Sequence, residues 1–266
     1  MTRTSEAAEQ AGIRVERNER LAILTIANPS KRNALDPDLL FELARTLDAL
    51  GKEDVRAVVL RGEGEKIFSS GYDIGAIRGG AAQEASRHPL STAIEAIERF
   101  PYPVLAMVFG GAYGAGVEVV CACDLRYAAN DARFAIPAAK LSVVYDPDGV
   151  ARLAERASPT LVAELMLTAR PMPAERALAL GLLNGVHPAA DLEREVLALA
   201  REIAALAPRT LRATKQMLHA LRAHGGFTEI EVAHFTRLRN EALASEDFAE
   251  GRRAFAEKRA PRFGGE

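Results

Sequence analysis

Val104-Leu-Ala-Met-Val-Phe-Gly110-Gly-Ala-Tyr-Gly114-Ala-Gly116-Val-Glu118 is the stretch on which the reading of this chain turns. An apolar, strand-like run ends in a glycine-rich turn. The turn opens into Val117-Glu118-Val-Val-Cys-Ala-Cys123, an apolar segment that reads as a short buried helix. Glycines let backbone N–H groups approach a ligand closely, and the unpaired N–H groups of a helix start carry the positive end of its dipole. An oxygen that becomes negative during a reaction is stabilised in such a place. Glu118 then stands one turn into an otherwise apolar helix, where a carboxylate needs a reason to be.

Three readings of the stretch compete. In the plainest, a tight strand-to-helix turn carries a salt-bridged Glu118. In the second, the glycines after a strand and Asp131 further on form a dinucleotide fingerprint. The helix, however, has only about two turns before Asp124 starts the next strand-like run, which is short for a dinucleotide crossover. A phosphate-binding P-loop is excluded, because no Lys-Ser/Thr follows the glycines. In the third, the turn is an oxyanion site with an acid beside it.

A second stretch, Lys66-Ile-Phe-Ser-Ser-Gly71-Tyr72-Asp73-Ile74, favours the third reading. A Phe-small-small-Gly-x-Asp-Ile segment, followed by Pro-Val-(apolar)-Gly-x-x-x-Gly-x-Gly-x-Glu and then Cys-Asp-Leu, resembles the crotonase (enoyl-CoA hydratase/isomerase) superfamily. Ser30-Lys-Arg-Asn33-Ala34-Leu35 and the run from Ser245 through Phe255 to Lys258 extend the resemblance over nearly the whole chain. It implies an α/β fold with a crotonase-like ββα spiral core that binds acyl-CoA over residues 1–190. A C-terminal helical region over 191–266 would build a homotrimer or a dimer of trimers.

The same resemblance implies the site. The two oxyanion N–H groups fall at Tyr72 and Ala115. Lys31, Arg32, Ala34, Ser70, Asp73 and Ile74 fall where the family contacts coenzyme A. Phe255 and Lys258 match positions that reach the adenine end, often from a neighbouring subunit. Tyr113, Gly114, Ala138 and Leu141 fall at the acyl pocket. Coenzyme A enters as part of the substrate, with no other cofactor and no metal. Read without the resemblance, Lys31 and Arg32 are a solvated loop, and Phe255 and Lys258 an ordinary helix face.

The departures from the family pattern are informative. Hydratases pair the Glu118 carboxylate with a second glutamate in a Phe-x-x-Pro-Glu motif, and here the motif reads Phe134-Ala-Ile-Pro137-Ala138. Two-carboxylate hydration needs groups whose protonation states are pushed apart, so losing one removes its main warrant. Tyr145 falls where the family's methylmalonyl-CoA decarboxylases carry a tyrosine over the substrate, and several other segments look closest to that subgroup. Decarboxylation of a malonyl-type thioester puts electrons on the thioester oxygen, so an oxyanion hole does most of the work and no general base is required. That subgroup also has a hydroxyl side chain near Pro137, which Ile136-Pro137-Ala138 does not supply.

Asp146 occupies a position where other branches carry a working acid. Facing the pocket, it would serve isomerisation or hydration together with Glu118; pointing outward in Tyr145-Asp-Pro-Asp-Gly149, it is a turn residue. The site therefore implies an acyl-CoA lyase with Glu118, Tyr145 and Asp146 as catalytic candidates, decarboxylation being placed ahead of hydration or isomerisation. A non-catalytic, RNA-binding relative would use a lysine-rich first helix. Pro37–Leu50 carries Asp38, Glu42 and Asp48 against Arg45 instead.

Composition agrees. At 266 residues, 48% hydrophobic and with a net charge of −2, the chain can bury a sizeable core and has no electrostatic case for nucleic acid or an anionic membrane. Cys121 and Cys123 cannot form a disulfide framework, and a reduced cytoplasmic setting is expected. No apolar run approaches a membrane span, and the first residues carry no apolar signal core. The histidines, at 88, 187, 219, 224 and 234, form no metal-spaced set.

The patterns predict a hairpin over 13–27 turning at Asn18-Glu-Arg20, a helix over 37–50 capped by Asp36, and a strand over 55–61. A polar segment over 79–88 is expected to be mobile, with a helix over 91–100 after it. A strand at 125–129 precedes a loop through Phe134. From Asp191 on the pattern is helical only.

Overall fold

The structure, a computed structural model, describes residues 10–76 and 88–265. The segment expected to be mobile thus lies outside the described residues except for His88. Strands β1 (Gly12–Asn18) and β2 (Leu21–Ala27) form the expected hairpin, with Glu19 left-handed at its turn. Helix α1 (Pro37–Leu50) follows, and the Asp36 carboxylate accepts from Leu39 N–H at 2.9 Å, which satisfies one of its orphan donors. Then come β3 (Ala57–Gly62), α2 (Pro89–Arg99), β4 (Val104–Val108), β5 (Gly111–Tyr113), α3 (Ala115–Ala122), β6 (Leu125–Ala129) and β7 (Arg133–Ala135). Phe134, expected in a loop, is a strand residue because β7 pairs with β5 in a small second sheet.

The remaining elements are α4 (Pro147–Arg156), α5 (Pro159–Thr168), β8 (Met172–Pro173), α6 (Ala174–Ala179), β9 (Gly185–His187), α7 (Ala189–Ala205), α8 (Pro208–His224), α9 (Glu229–Leu243) and α10 (Glu246–Glu257). The main sheet has six strands in the order β1-β2-β3-β4-β6-β9, antiparallel only at β1–β2. Its central strands β2, β3 and β4 are buried on both faces, as parallel sheets require, while β6 and β9 are partly exposed.

The period of two sorts the strands' side chains. Ala22, Leu24, Ile26, Val58, Leu60, Val104 and Ala106 join the core with α1, α2 and α3. Leu21, Ile23, Ala57, Val59, Leu105 and Met107 point the other way and meet Leu192, Val196, Ala200 and Ile203 of α7. The boundary expected at residue 190 falls inside α7. That helix is the second face of the sheet rather than part of an appended region. Its Leu/Ala-rich sequence reads as helical but does not say what it covers.

Helix α8 is also tied to the core. The buried Lys215 ammonium lies 2.7 Å from Asp124 and donates to the Ile97 and Tyr102 carbonyls. Asp124 in turn accepts from Val104 N–H at the start of β4, so one carboxylate joins α8 to the strand that leads into the glycine turn. Among the described residues no helix is long and apolar enough to cross a membrane.

Candidate active site

Two backbone segments meet at the glycine turn. Residues 68–73 run as an added strand between Leu35 and the β5 edge. Leu35 N–H donates to Gly71 O, Asp73 N–H to Leu35 O, and Tyr113 N–H to Ser69 O, at 2.8–3.0 Å. Ser69 Oγ pins the segment further, donating to Asn33 O and accepting from Gly71 N–H. Every other residue's backbone is thereby used, which leaves Tyr72 N–H pointing away. The second segment is anchored by Gly114 N–H donating to Ala135 O at 2.9 Å, after which α3 begins at Ala115. Among the described residues neither Tyr72 N–H nor Ala115 N–H has a backbone acceptor.

Close approach of the two segments requires glycine at 71, and the backbone conformation favours it at 114. Gly71 has φ +100°, and a β-carbon there would lie 2.8 Å from Tyr113 O and 3.7 Å from Ala115 N. Gly114 has φ +51°, and its corresponding position is 4.0 Å from the Gly71 α-carbon and 3.7 Å from the Tyr145 hydroxyl. Two undonated N–H groups on adjacent turns, one at a helix start, are able to donate to an oxygen placed between them.

They open into a cavity of about 620 Å³ lined by Ser70, Gly71, Tyr72, Ile74, Gly114, Ala115, Glu118, Ala138, Leu141, Tyr145 and Arg152, among others. Glu118 is 6% exposed, and burial pushes its carboxyl up to about 7. The Arg152 guanidinium at 3.8 Å and a hydrogen bond from the Tyr145 hydroxyl pull the other way without prevailing. Tyr145 itself is held far above the usual phenol range, first by burial and then by the Glu118 charge, so it stays a neutral donor. Gly149 of α4 abuts the same carboxylate, since a β-carbon there would lie 3.1 Å from Glu118 Oε2.

Ala138 lines the cavity, with no side-chain carboxylate at that position. Asp146 stands at the cavity mouth and is exposed, capping α4 by accepting from Asp148 N–H at 2.9 Å. Its charge still adds to the rise at Glu118. Both expectations for Asp146 are thus partly realised: it is a turn residue, and it borders the pocket.

The residues expected at coenzyme A divide. Ser70 and Ile74 line the cavity, and Lys31 forms an ion pair with Asp73 at 2.6 Å. Hydrogen bonding between the two holds Asp73 below and Lys31 above their ordinary values. Lys31 and Arg32 lie in and just after a short 3₁₀ turn, with Arg32 left-handed, and Ser70 N–H donates to Arg32 O. Two expectations need correction. Ala34 is buried, with its N–H and carbonyl both satisfied by Lys31 and Asn28. Tyr113, on β5, does not line the cavity. Phe255, on α10, lines a separate apolar cavity of about 580 Å³ among α8, α9 and α10, and neither it nor Lys258 reaches the Glu118 cavity of its own chain, so any contact of theirs with coenzyme A would be with a neighbouring subunit's.

Sequence reasoning missed Arg152 and His88. Arg152 sits one helical turn after Gly149 on α4, so once Gly149 packs on Glu118 the spacing brings the guanidinium to the same place. His88 precedes α2 and stacks on Tyr72 at a 5.6 Å centroid separation, with burial holding its pKa below the usual value. Among the described residues no group of His, Cys, Asp and Glu could hold a metal ion.

The sequence profile described as "Enoyl-CoA hydratase/isomerase" matches residues 16–266. The chain belongs to that family. Methylmalonyl-CoA decarboxylase of Escherichia coli (strain K12) is 33% identical over 92% of this chain and 95% of its own. Carnitinyl-CoA dehydratase of Salmonella typhi is 35% identical over 94% and 97%. Among solved structures, an enoyl-CoA hydratase/carnithine racemase from Magnetospirillum magneticum superposes with a TM-score of 0.86 at 31% identity, covering 96% of both chains. A methylmalonyl-CoA decarboxylase in complex with 2-nitronate-propionyl-CoA superposes with a TM-score of 0.76 at 32% identity, covering 97% of this chain and all of that one. The α/β architecture is therefore the crotonase fold, and the family is one of acyl-CoA enzymes. Members with quite different reactions are similarly related, so the reaction must be argued from the site.

Proposed function

We propose that the protein is an acyl-CoA lyase that stabilises a thioester enolate, and that its reaction is decarboxylation of a malonyl-type thioester such as methylmalonyl- or ethylmalonyl-CoA. The observation that carries this reading is a single buried carboxyl group, the cavity's other carboxylate, Asp146, being exposed at the mouth and engaged in capping α4. Glu118 is buried, titrates near neutrality and is hydrogen-bonded to Tyr145, while Ala138 stands where hydration would need its second acid. A carboxylate at 138 would repel a malonyl carboxylate about 5 Å away by roughly 3 kcal/mol at an effective dielectric near 20.

The thioester oxygen lies between Tyr72 N–H and Ala115 N–H. When the bond from the α-carbon to the carboxylate breaks, its electron pair moves through the α-carbon to that oxygen, where the two donors stabilise it. Carbon dioxide leaves. Glu118, about half protonated at pH 7, gives its proton to the α-carbon and is re-protonated from solvent. Tyr145 orients the Glu118 carboxyl group. No cofactor takes part, and coenzyme A is held on the rim formed by Lys31, Arg32, Ser70, Asp73 and Ile74. Exposed Ile230, Phe248 and Phe255 on α9 and α10 suit burial between subunits of a homotrimer or a dimer of trimers, which would bring Phe255 and Lys258 to a neighbour's coenzyme A.

Release of carbon dioxide from methylmalonyl- or ethylmalonyl-CoA tests the reading, and its absence with both overturns it. A second reading, enoyl-CoA hydratase or isomerase, is favoured by Asp146 at the cavity mouth acting with Glu118. It requires Asp146→Asn to abolish turnover of an enoyl-CoA. Under the decarboxylase reading the same change leaves release of carbon dioxide largely intact, since an Asn oxygen can accept the same cap from Asp148 N–H.

A further inference from the structure

Glu118 has a space behind it as well as the cavity in front. The rear space measures about 10 Å³ and is lined by Ile94, Glu98, Glu118, Cys121, Ala122, Arg152 and others. One water molecule needs about this much room and a few polar partners. Glu118 and Arg152 line both spaces, so this pair forms the wall between them.

The polar groups around the rear space are uncommitted in the right places. Arg152 Nε is buried and has no hydrogen-bond partner among the described residues. Glu98, on α2, gives one oxygen to Arg156 Nη2 at 2.6 Å, which fixes its carboxylate at the rim. Its side chain is 12% exposed, so Glu98 touches both the rear space and solvent. Of the remaining lining, Ile94, Cys121, Ala122 and Leu153 are apolar or weakly polar, and Arg156 is engaged by Glu98.

We propose that the rear space is a water site through which Glu118 exchanges protons with solvent while a bound thioester closes the front. The water accepts from Arg152 Nε–H and donates to Glu98. When Glu118 has given its proton to the α-carbon, the water passes one proton to Glu118 and receives one from solvent at the Glu98 edge. One proton enters for each that leaves, and no charge is left behind. Glu98 does not touch substrate. It is a positioning residue that orients the water, and the inference rests on the enolate reading only in that Glu118 must move a proton at the α-carbon.

The test uses propionyl-CoA, which carries no carboxylate to lose, in deuterated buffer, following exchange of its α-hydrogens with solvent. The unaltered protein exchanges them. Glu98→Gln keeps an acceptor for Arg156 but orients the water differently, and it lowers exchange by at least about tenfold with the saturation constant for propionyl-CoA unchanged. Glu98→Asp recovers part of the loss. Ala122→Val fills the water's volume and leaves every charge in place, and it lowers exchange likewise even if Glu98→Gln fails to fold. Exchange at the unaltered rate in a folded Glu98→Gln, or in Ala122→Val, overturns the water site while the enolate reading stands. No exchange in the unaltered protein overturns both.

Discussion

Arg152 stands 3.8 Å from Glu118, and burial outweighs it, leaving the Glu118 carboxyl titrating at about 7. An acid that must deliver a proton at neutral pH is thereby kept near half occupancy, where proton donation is most effective. Replacing Arg152 by Gln removes a charge that favours the ionised form. The Glu118 pKa then rises further, and the alkaline fall of kcat/KM moves to higher pH. A pH–rate profile that keeps its alkaline limb in place would separate Arg152 from the titration of Glu118.

The same burial has a stability consequence. Glu118 titrates near 7 folded and from a reference value of 4.5, so the unfolded chain ionises first as pH rises. Stability is lost progressively between those two values and stays lost above them. Glu118→Gln removes the penalty. It should stabilise the fold by about 3 kcal/mol at pH 8 and by nothing of that kind at pH 4, as read from denaturant midpoints. An equal gain at both pH values would mean that ionisation is not the cause.

Gly71→Ala should remove the proposed oxyanion hole without touching any side chain of the site. A methyl group there meets Tyr113 O at 2.8 Å and forces an L residue to φ +100°, so the Tyr72 segment must move away from Ala115. The expected loss in kcat is about 10²–10³-fold. Circular dichroism and thermal melting distinguish this from unfolding, and an active, folded Gly71→Ala would exclude these N–H groups.

How much of this was legible in the sequence differs from element to element. The hairpin, α1 and the glycine turn were readable because period, cap and glycine spacing are local signals. Tyr72 and Ala115 were placed by motif, and the structure does turn both N–H groups free of backbone acceptors. The role of α7 was not readable, since an amphipathic helix does not state which sheet face it covers. Arg152 was missed for the same reason: its partner Glu118 is on another helix, and only the packing of Gly149 brings the two together. Phe255 and Lys258 lie away from the Glu118 cavity of their own chain, and which subunit's site they would meet is a relationship that local pattern does not encode.

Ala138→Glu restores the carboxylate that the sequence withholds. Beside Glu118 in the same cavity, it should raise hydration of crotonyl-CoA and slow decarboxylation about a hundredfold, by the roughly 3 kcal/mol of repulsion estimated for a malonyl carboxylate. Parallel assays of the variant and the unaltered protein measure both changes. A variant that decarboxylates as fast as the unaltered protein would mean that Ala138 has no part in specificity.

The most direct measurement compares kcat/KM for methylmalonyl-CoA, by carbon dioxide release, with that for crotonyl-CoA, by loss of the enoyl absorbance, on one preparation. A single buried carboxyl group, Glu118, beside the proposed oxyanion site predicts carbon dioxide release with little or no hydration. Rapid hydration without carbon dioxide would contradict it, and would assign the missing glutamate's task to Asp146 or to a water held by Glu118.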